Sequence, residues 1–338
     1  MTATPRLSVV MTVFNGERHL REAMDSMLAQ TMADFELLVV DDTSGDATPQ
    51  ILADYATRDS RVRVIRNESN LGPYPSANRA LEQARAPIVA RMDADDVALP
   101  ERFAKQVAFL DAHPDHLLVG CSYASIDEAG RQRFIRSNPM DWRVAGWTVR
   151  LRMPMVHPGF CYRRLLPDGT PVRYAEDFRF AQDFRLAGKL AQAGRIAVLE
   201  EVLVHYRMHP DNISSSKLAE QDLAARNIAW EQVSTHYPEA LHKRLGGFID
   251  VLYRQRDPDA ALLAEAISGM RAAIAFDGVG LWAKRRAAGM IAEAFLRSGG
   301  MQAARLGIAF ARLAPDLLGP LAVRFLELKG WKAQRPAP

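Results

Sequence analysis

Residues 87–96 have the sequence Pro-Ile-Val-Ala-Arg-Met-Asp-Ala-Asp-Asp, in which a short apolar run leads into an acidic segment. A run of this length is typical of a buried strand, so the segment places Asp93, Asp95 and Asp96 at a strand end. Carboxylates held this close repel one another, and the repulsion is costly unless a cation or hydrogen-bond donors compensate it. The stretch therefore predicts a divalent metal ion at the end of a strand.

Two apolar runs of the same character precede this segment. Residues 7–14 and 35–40 are continuous and rich in apolar and β-branched residues, as expected for strands buried on both faces of a parallel sheet. Between them, apolar residues recur at helical spacing from residue 17 to residue 30. The pattern repeats with a strand at 62–65 and a helix at 78–84. The sequence therefore predicts an α/β fold built from right-handed βαβ units.

Polar residues follow three of the predicted strands at their carboxyl ends, at residues 12–15, 41–42 and 93–96. In open sheets of this type, ligands bind at the carboxyl ends of the strands. We therefore expect the three segments to line one crevice. The chain contains neither a GxGxxG nor a GxxxxGK[ST] segment, which excludes a standard dinucleotide binder and a P-loop enzyme.

The composition is that of a folded globular protein, because 48% of the 338 residues are hydrophobic and 25% are charged. A net charge of +3 from scattered basic residues does not indicate a nucleic-acid partner. Cys121 and Cys161 lie far apart, which argues against a disulfide framework or a structural zinc and favours a reducing cytoplasm. With no signal-peptide pattern and no apolar stretch of ~18 residues, we expect a cytoplasmic protein, with a position on the inner face of the cell membrane left open.

The character of the sequence changes near residue 218. Beyond it, Ala, Leu and Arg recur with helical periodicity, and breaks at Pro and Gly divide the pattern into four or five short helices. We predict an α/β domain at residues 1–217 and an all-helical appendage at 218–332. Basic clusters at 281–286 and 313–332 would suit an anionic lipid surface, a neighbouring domain or a second subunit. Peripheral membrane association and homo-oligomerisation both stay open.

Asp93 and Asp95 form an Asp-x-Asp pair. Side chains two residues apart in an extended chain point the same way, so both carboxylates can serve one ligand. Hard carboxylate oxygens suit Mg²⁺ or Mn²⁺, which keep waters or take phosphate oxygens of a substrate. The alternative is a solvated loop with Asp as a helix cap before Pro100, and we expect Asp96 to be that cap. Asp42 is either a turn residue or an acceptor for a nucleobase or ribose.

Four blocks of the chain, in this order, resemble family 2 glycosyltransferases of the GT-A fold: Ser-Val-Val-Met-Thr-Val-Phe-Asn-Gly-Glu (8–17), Phe-Glu-Leu-Leu-Val-Val-Asp-Asp-Thr-Ser-Gly-Asp (35–46), Asn-Leu-Gly-Pro-Tyr-Pro-Ser-Ala-Asn (70–78) and Arg-Met-Asp-Ala-Asp-Asp-Val-Ala-Leu-Pro-Glu-Arg-Phe (91–103). The resemblance continues at residues 182–183, 202–203 and 206–209 and leaves the helical tail outside. It implies a Rossmann-like, mixed and mostly parallel sheet flanked by helices. It also implies an inverting enzyme that uses a nucleotide-sugar and a divalent ion.

The resemblance also implies roles for residues on the donor side. Thr12 and Asp42 would contact the nucleoside of the nucleotide-sugar. Asp93 would approach the ribose and the metal shell, and Asp95 would ligate the ion that bridges the two phosphates. The full set expected to bind the donor is Thr12, Val13, Asn15, Glu17, Asp42, Asn78, Arg91, Asp93, Ala94 and Arg207.

Three later residues are assigned with alternatives. Arg207 and His209 would donate to the diphosphate, or His209 would complete the metal shell beside Asp95. The alternative for His209 is a loop histidine in solvent. His157 would line the acceptor side, and a satisfied, partly buried histidine explains it equally well.

Two pairs compete for the catalytic base, Glu176-Asp177 and Gln182-Asp183. The family uses an acidic residue followed by Asp, which favours the first pair. The family's spacing to the Leu that leads into the Tyr-Arg-x-His block, here Leu203, favours Asp183. Asp183 also begins a predicted helix, whose dipole favours the ionised carboxylate. We therefore predict Asp183 as the base, with a helix N-cap as its alternative role.

The sequence thus predicts a metal-dependent, inverting glycosyltransferase. It would move a sugar from a nucleotide-diphosphate donor, UDP-linked in our prediction, to a hydroxyl of a glycan or lipid-linked acceptor, as in cell-surface polysaccharide synthesis. Two alternatives come from other classes. A nucleotidyltransferase would use the same acidic metal site and release pyrophosphate from a nucleoside triphosphate. A non-catalytic protein would bind the sugar nucleotide without transferring the sugar.

Overall fold

The structure is a computed structural model that describes residues 4–176, 180–210, 212, 217–296 and 300–316. The chain forms two compact units, one from residues 1–142 and 154–210 and the other from residues 143–153 and 211–338. The segment 143–153 thus groups with the helices that follow residue 211, although the sequence pattern gave no indication of this. The domains predicted at 1–217 and 218–332 stay a prediction.

The first unit is organised around one sheet. Its described strands, in chain order, are β1 (Leu7–Val13), β2 (Phe35–Asp41), β3 (Val62–Arg66), β4 (Ile88–Asp93), β5 (Val97–Ala98), β6 (His116–Ile126), β7 (Gln132–Arg136), β8 (Cys161–Arg163) and β9 (Arg195–Arg207). They lie in the order β3-β2-β1-β4-β8-β6-β9-β5, and β7 pairs with β6. Strands β1 to β4 are parallel, and β8 is antiparallel to both β4 and β6. Since β9 is parallel to β6, most strands run in one direction, and the predicted mixed, mostly parallel sheet is confirmed.

Helices flank the sheet and make up most of the second unit. In chain order the described helices are α1 (Leu20–Leu28), α2 (Thr48–Arg58), α3 (Pro73–Gln83), α4 (Arg102–Ala112), α5 (Trp142–Val149), α6 (Gln182–Ala193), α7 (Leu218–His236), α8 (Glu239–Leu252), α9 (Ala260–Phe276), α10 (Leu281–Leu296) and α11 (Gly300–Leu313). A short 3₁₀ helix covers His157–Gly159. The predicted series of short C-terminal helices is therefore confirmed within the described residues.

The sheet is held by apolar side chains on both of its faces. Every residue of β2 is buried, as the continuous apolar run predicts. Helix α1 covers the sheet with Leu20, Met24 and Met27, which recur at helical spacing and are fully buried. Each such side chain contributes ~1.5–3 kcal/mol by leaving water. Replacing Leu37, at the centre of β2, with Ala would cost ~2–5 kcal/mol because it leaves a cavity.

The register of the parallel strands brings the predicted polar segments together. Thr12 lies opposite Asp93 across β1 and β4, and Val13 lies opposite Asp41 across β1 and β2. The three strands therefore end at the same edge of the sheet. The polar ends therefore share one edge, and the crevice that we expect them to line stays a prediction.

Two of the breaks between the described helices of the second unit have a local signal. Asp259 caps α9, since its side chain accepts a hydrogen bond from the Leu262 N–H at 2.8 Å. Gly278, with a φ of +63°, follows the end of α9 and precedes α10. The basic cluster predicted at 313–332 lies almost wholly outside the described residues. Among the helices that are described, none is long and apolar enough to cross a membrane.

Candidate active site

Arg91 organises the end of β4. Its guanidinium is 2% exposed and pairs with Asp93 Oδ1 at 2.9 Å. It also donates to Thr12 Oγ1 at 2.7 Å and to the carbonyls of Val10 and Met92 at 3.0 and 2.7 Å. Arg91 therefore fixes two residues predicted on the donor side while lying beneath the surface itself.

Asp95 and His209 meet at the same edge, although they are far apart in the chain. The Asp95 Oδ2 and His209 Nε2 atoms are 2.9 Å apart, and both side chains are partly exposed. Ala94 packs its partly buried side chain against the core and turns the chain between Asp93 and Asp95. The described residues contain no group of three or more His, Cys, Asp or Glu suited to a metal ion. A carboxylate and an imidazole fit an ion such as Mn²⁺ that takes its other ligands from water and phosphate.

Asp96 has a role that the sequence did not indicate. Its Oδ1 accepts the Arg207 N–H at 2.7 Å, and the side chain is 1% exposed. Burial, with the charges of Asp95 and Asp93, raises the pKa of Asp96 well above its usual range. The expectation that Asp96 caps the next helix is wrong, because α4 begins at Arg102 with Glu101 as its N-cap residue. Asp96 instead ties the acidic loop to the end of β9.

The Arg207 guanidinium lies behind the acidic loop. It is 1% exposed, donates from Nε to the Asp95 carbonyl at 2.7 Å, and pairs with Glu22. Its Nη1 donates to the carbonyls of Asp127 and Glu128, both at 3.1 Å. These contacts hold the backbone that presents Asp95. They give no support to the predicted contact between Arg207 and a diphosphate.

Asp42 fixes the loop that leads into α3. Its carboxylate accepts hydrogen bonds from the Leu71 and Gly72 N–H groups, both at 2.8 Å, and from Asn67 Nδ2 at 2.6 Å. Its own N–H donates to the carbonyl of Val13 at 2.8 Å. Asp42 is 3% exposed. The side chain that the resemblance places at the nucleoside therefore already has three protein donors.

Asn15 and Glu17 join the loop after β1 to the loop after β2. The Asn15 N–H donates to Ser44 Oγ, and its Oδ1 accepts the Gly45 N–H, both at 2.9 Å. Glu17 Oε2 accepts the Ala47 N–H at 2.9 Å. Asn15 has a φ of +50°, a left-handed conformation that Asn tolerates better than most residues. These two residues shape the rim of the predicted donor site.

Asn78 joins α3 to the segment that precedes α6. Its Oδ1 accepts the Tyr174 N–H, and its Nδ2 donates to the Tyr174 carbonyl and to Glu176 Oε1, all at 2.9 Å. The carboxylate of Glu176, from the competing pair, is thus bound to a buried amide. Its neighbour Asp177 lies outside the described residues.

Asp183 lies in the first turn of α6. Burial raises its pKa to about 6, the Phe184 N–H that it accepts opposes this rise, and the charge of Asp93 adds to it. The N-cap residue is Ala181, in a left-handed conformation, so the alternative role of Asp183 as the helix cap is wrong. A carboxyl whose pKa lies just below neutrality suits a general base, because it is ionised at pH 7 yet still takes a proton.

His157 belongs to an aromatic cluster with Tyr74 and Tyr174. Its Nε2 is 2.7 Å from the Tyr174 hydroxyl oxygen, and the Tyr74 ring centroid lies 5.4 Å from that of Tyr174 and 6.1 Å from that of His157. Burial lowers the pKa of His157 to about 3, so the ring is neutral at physiological pH. His157 is therefore a hydrogen-bonding member of this cluster and does not carry a charge.

Sequence reasoning missed three residues close to these groups. His19 has its ring centroid 5.8 Å from that of His209, and Glu22 pairs with Arg207. Tyr74 lies where the charges of both Asp93 and Asp183 act on its hydroxyl. Only Tyr74 had a detectable signal, since it lies between two prolines within the third block of the resemblance. His19, just before α1, and Glu22, within α1, carry no local pattern that indicates a site.

This geometry agrees with comparisons against known proteins. Residues 8–165, just under half of the chain, match the family model Glycosyl transferase family 2, and the fold is of the GT-A type. A curated relative, the amylovoran biosynthesis glycosyltransferase AmsE of Erwinia amylovora, is 31% identical over 160 residues, which are 46% of this chain and 59% of AmsE. Two other curated relatives, at 38% and 39% identity, are matched over 44% and 47% of their own length. The chain thus spans about half the length of these two relatives.

Solved structures resemble the chain over nearly its whole length. TarS of S. aureus in complex with UDP-GlcNAc gives a TM-score of 0.57 at 21% identity, covering 94% of this chain and 87% of TarS. The mannosyltransferase PcManGT of Pyrobaculum calidifontis, in complex with GDP-Man and Mn²⁺, gives 0.55 at 20% identity, covering 96% and 88%. At such low identity these similarities establish the fold alone.

Proposed function

We propose that this protein is a metal-dependent, inverting glycosyltransferase that moves a sugar from a nucleotide-diphosphate sugar to a hydroxyl of a glycan or lipid-linked acceptor. The observation that carries the proposal is the contact between Asp95 and His209 at the sheet edge. The charge of Asp93, at the same edge, also helps to raise the pKa of Asp183. The donor complexes of TarS and PcManGT support a nucleotide-sugar. We favour a UDP-linked sugar, and the name of AmsE supports a role in polysaccharide synthesis.

In this proposal Asp95 and His209 would hold the divalent ion, and Asp93 would contribute on the ribose side. When bound, such an ion neutralises the charge that the nucleoside diphosphate gains as it leaves. Two protein ligands leave room for phosphate oxygens, which agrees with the preference of Mg²⁺ and Mn²⁺ for substrate and water ligands. Arg91 holds the Asp93 carboxylate, and Arg207 holds the backbone carbonyl of Asp95, through the hydrogen bonds described above.

Asp183 is the proposed base. It takes the proton of the acceptor hydroxyl as the oxygen attacks the anomeric carbon on the face opposite the diphosphate, which inverts that carbon in one displacement. The proton then passes from Asp183 to solvent. The neutral His157 and the two tyrosines beside it would form part of the acceptor side, where they exclude water from the base.

A thermal-shift screen of UDP, GDP and ADP, each with and without Mn²⁺, tests the metal and the nucleotide together. We expect one nucleotide to raise the melting temperature by several degrees only when Mn²⁺ is present. Asp95→Asn should remove that Mn²⁺-dependent rise. Asp34→Asn, which makes the same change at an exposed position away from the site, should keep it. A rise that is equal with and without Mn²⁺ would contradict the metal assignment.

The helical unit is the proposed contact for membrane or subunit partners. Leu281 is 57% exposed, and Lys284 on the same first turn of α10 is also exposed. An apolar and a basic side chain at one helix end would suit an anionic lipid surface on the cytoplasmic side of the membrane. Sedimentation with anionic and with neutral vesicles tests this, and light scattering tests self-association. Equal recovery with both vesicle types would remove the lipid proposal.

A further inference from the structure

A cavity of about 410 Å³ opens between α8 and α9 of the helical unit. Helix α9 supplies most of its lining from residues that recur three or four positions apart and so share one face of the helix. These residues are Ala264, Ile267, Ser268, Arg271 and Ala272, and Arg244 of α8 completes the lining. Small-molecule sites in proteins have volumes of ~300–1,000 Å³, so the cavity is large enough for a small ligand.

Arg244 is held against α9 at both ends of its side chain. A Cβ atom on Gly269 would lie only 3.0 Å from the Cβ of Arg244, so the glycine at this position allows α8 and α9 to pack closely. At the other end of the side chain, Arg244 Nη1 donates a hydrogen bond to Ser268 Oγ at 3.3 Å. The guanidinium of Arg244 and the hydroxyl of Ser268 are therefore neighbours in the wall of the cavity.

The cavity carries an excess of positive charge. Arg271 forms an ion pair with Asp316, which lies three residues beyond the end of α11. Arg244 has a neutral hydroxyl as its partner, and no carboxylate pairs with it among the residues that the structure describes. Both arginines are exposed, so an ion from solvent can reach them. Two guanidinium groups and one carboxylate leave one positive charge, which an anion would compensate.

We propose that this cavity binds a phosphate group, held by the guanidinium groups of Arg244 and Arg271 and by the hydroxyl of Ser268. Guanidinium donors lie in a planar fork that matches two oxygens of a phosphate, and a hydroxyl supplies a further donor. The Asp316 carboxylate takes the place of phosphate oxygens at Arg271, and the phosphate displaces it. The buried Ile267 provides an apolar wall for carbon atoms attached to the phosphate. None of these residues takes part in the proposed sugar transfer, so the site does not rest on that function.

The melting temperature of the full chain, measured against the concentration of inorganic phosphate, gives the affinity of the site. The buffer contains no divalent ion, and NaCl keeps the ionic strength constant. We expect Arg244→Gln and Arg271→Gln each to raise the Kd for phosphate about tenfold or more, because each removes a charged donor. Arg256→Gln is the matched control, since Arg256 is exposed on the same unit and does not line the cavity. Its Kd should stay within about twofold of wild type, and it reports any general stabilisation by phosphate.

Removal of the competing carboxylate should have the opposite effect. Asp316→Asn frees Arg271 for the ligand, so we expect the Kd for phosphate to fall about threefold or more. Asp257→Asn removes the same charge from an exposed position that does not line the cavity, and its Kd should stay within about twofold of wild type. If the two aspartate variants behave alike, or if both arginine variants bind phosphate as wild type does, the site is wrong.

The phosphate can belong to a lipid headgroup or to a soluble compound, and vesicles distinguish the two sources. Phosphatidylcholine vesicles with and without phosphatidic acid, whose headgroup is a phosphate monoester, serve as the probe in a sedimentation assay. Sedimentation that needs phosphatidic acid, is lost in Arg244→Gln and is reversed by inorganic phosphate would identify a headgroup. Phosphate binding that depends on Arg244, without such sedimentation, would identify a soluble ligand. If wild type shows neither, the proposal is overturned, and the proposed sugar transfer is unaffected because neither assay measures it.

Discussion

Asp95 and Asp183 are two carboxylates of the proposed site, and they have different neighbours. Asp95 is partly exposed, faces an imidazole at 2.9 Å and stands on a loop whose backbone is held by Arg207. Asp183 lies in the first turn of α6, and burial is the largest influence on its pKa, which it raises to about 6. The first environment suits a carboxylate that binds a cation, and the second suits one that exchanges a proton. In the proposed function, the chemical role of each residue follows from its neighbours, since the side chains are identical.

Replacing Asp183 should have the largest effect, because it should abolish sugar transfer and leave binding of the metal and the nucleotide intact. We expect Asp183→Asn to lower sugar transfer ~10²–10⁴-fold, because the amide cannot take the acceptor proton. Binding of Mn²⁺ and the nucleoside diphosphate, measured by calorimetry, should change little because Asp95 and His209 are untouched. Asp34→Asn serves again as the exposed control. Normal turnover by Asp183→Asn would remove the base assignment and leave the metal side intact.

The part of the site around Asp95 should lose stability when the buried guanidinium of Arg207 is removed. Arg207→Met keeps the volume of the side chain but removes the donors of three main-chain carbonyls, those of Asp95, Asp127 and Glu128. At ~1 kcal/mol for each net hydrogen bond, we expect a loss of ~3 kcal/mol in the free energy of unfolding. Urea unfolding measures this.

Arg136→Met is the control for this change, since Arg136 is exposed on β7. Its unfolding free energy should stay within ~0.5 kcal/mol of wild type. A loss of the same size in both variants would show that the effect is not specific to the contacts of Arg207 with the acidic loop.

Asp183 should determine how turnover depends on pH. Asp183 must be ionised to act, so kcat/KM should fall about tenfold for each pH unit below its pKa, which burial raises to about 6. The measurement is the pH profile of turnover under conditions where the free enzyme determines the rate. A kcat/KM that falls only below pH ~4 would match a solvated aspartate instead. The contrast between Asp183 and Asp95 would then be wrong.

The sequence predicted the sheet edge because the information there is local. Continuous apolar runs define β1, β2 and β4, and parallel pairing then brings Thr12, Asp42 and Asp93 to one edge without further assumptions. The partners of these residues were harder to predict. Asp96 binds the backbone of Arg207, which lies at the end of β9 and 111 residues further along the chain. No periodicity in either segment specifies such a long-range contact.

Asp183 shows more clearly what a sequence can and cannot predict. The position of Asp183 in the first turn of a helix was predictable from the helical pattern and is confirmed. Its pKa was not, since the sequence argument used only the helix dipole, which favours ionisation. The structure shows the opposite net effect, because burial outweighs the Phe184 N–H. Burial of this kind depends on how the whole unit packs around the residue, and a local pattern cannot reveal it.

A smaller change tests two contacts that Arg91 makes at the end of β4, one with Thr12 and one with Asp93. Thr12→Val removes the hydroxyl that accepts from Arg91 Nη2 at 2.7 Å and leaves the 2.9 Å ion pair with Asp93 in place. Since only one neutral acceptor is lost, we expect a cost of ~1 kcal/mol in the free energy of unfolding, measured in urea. If Thr12 also contacts the nucleoside, calorimetry should show weaker nucleotide binding, with its dependence on Mn²⁺ preserved. A loss of Mn²⁺ dependence in Thr12→Val would instead mean that the Arg91 contact with Thr12 holds Asp93 in place for the metal side.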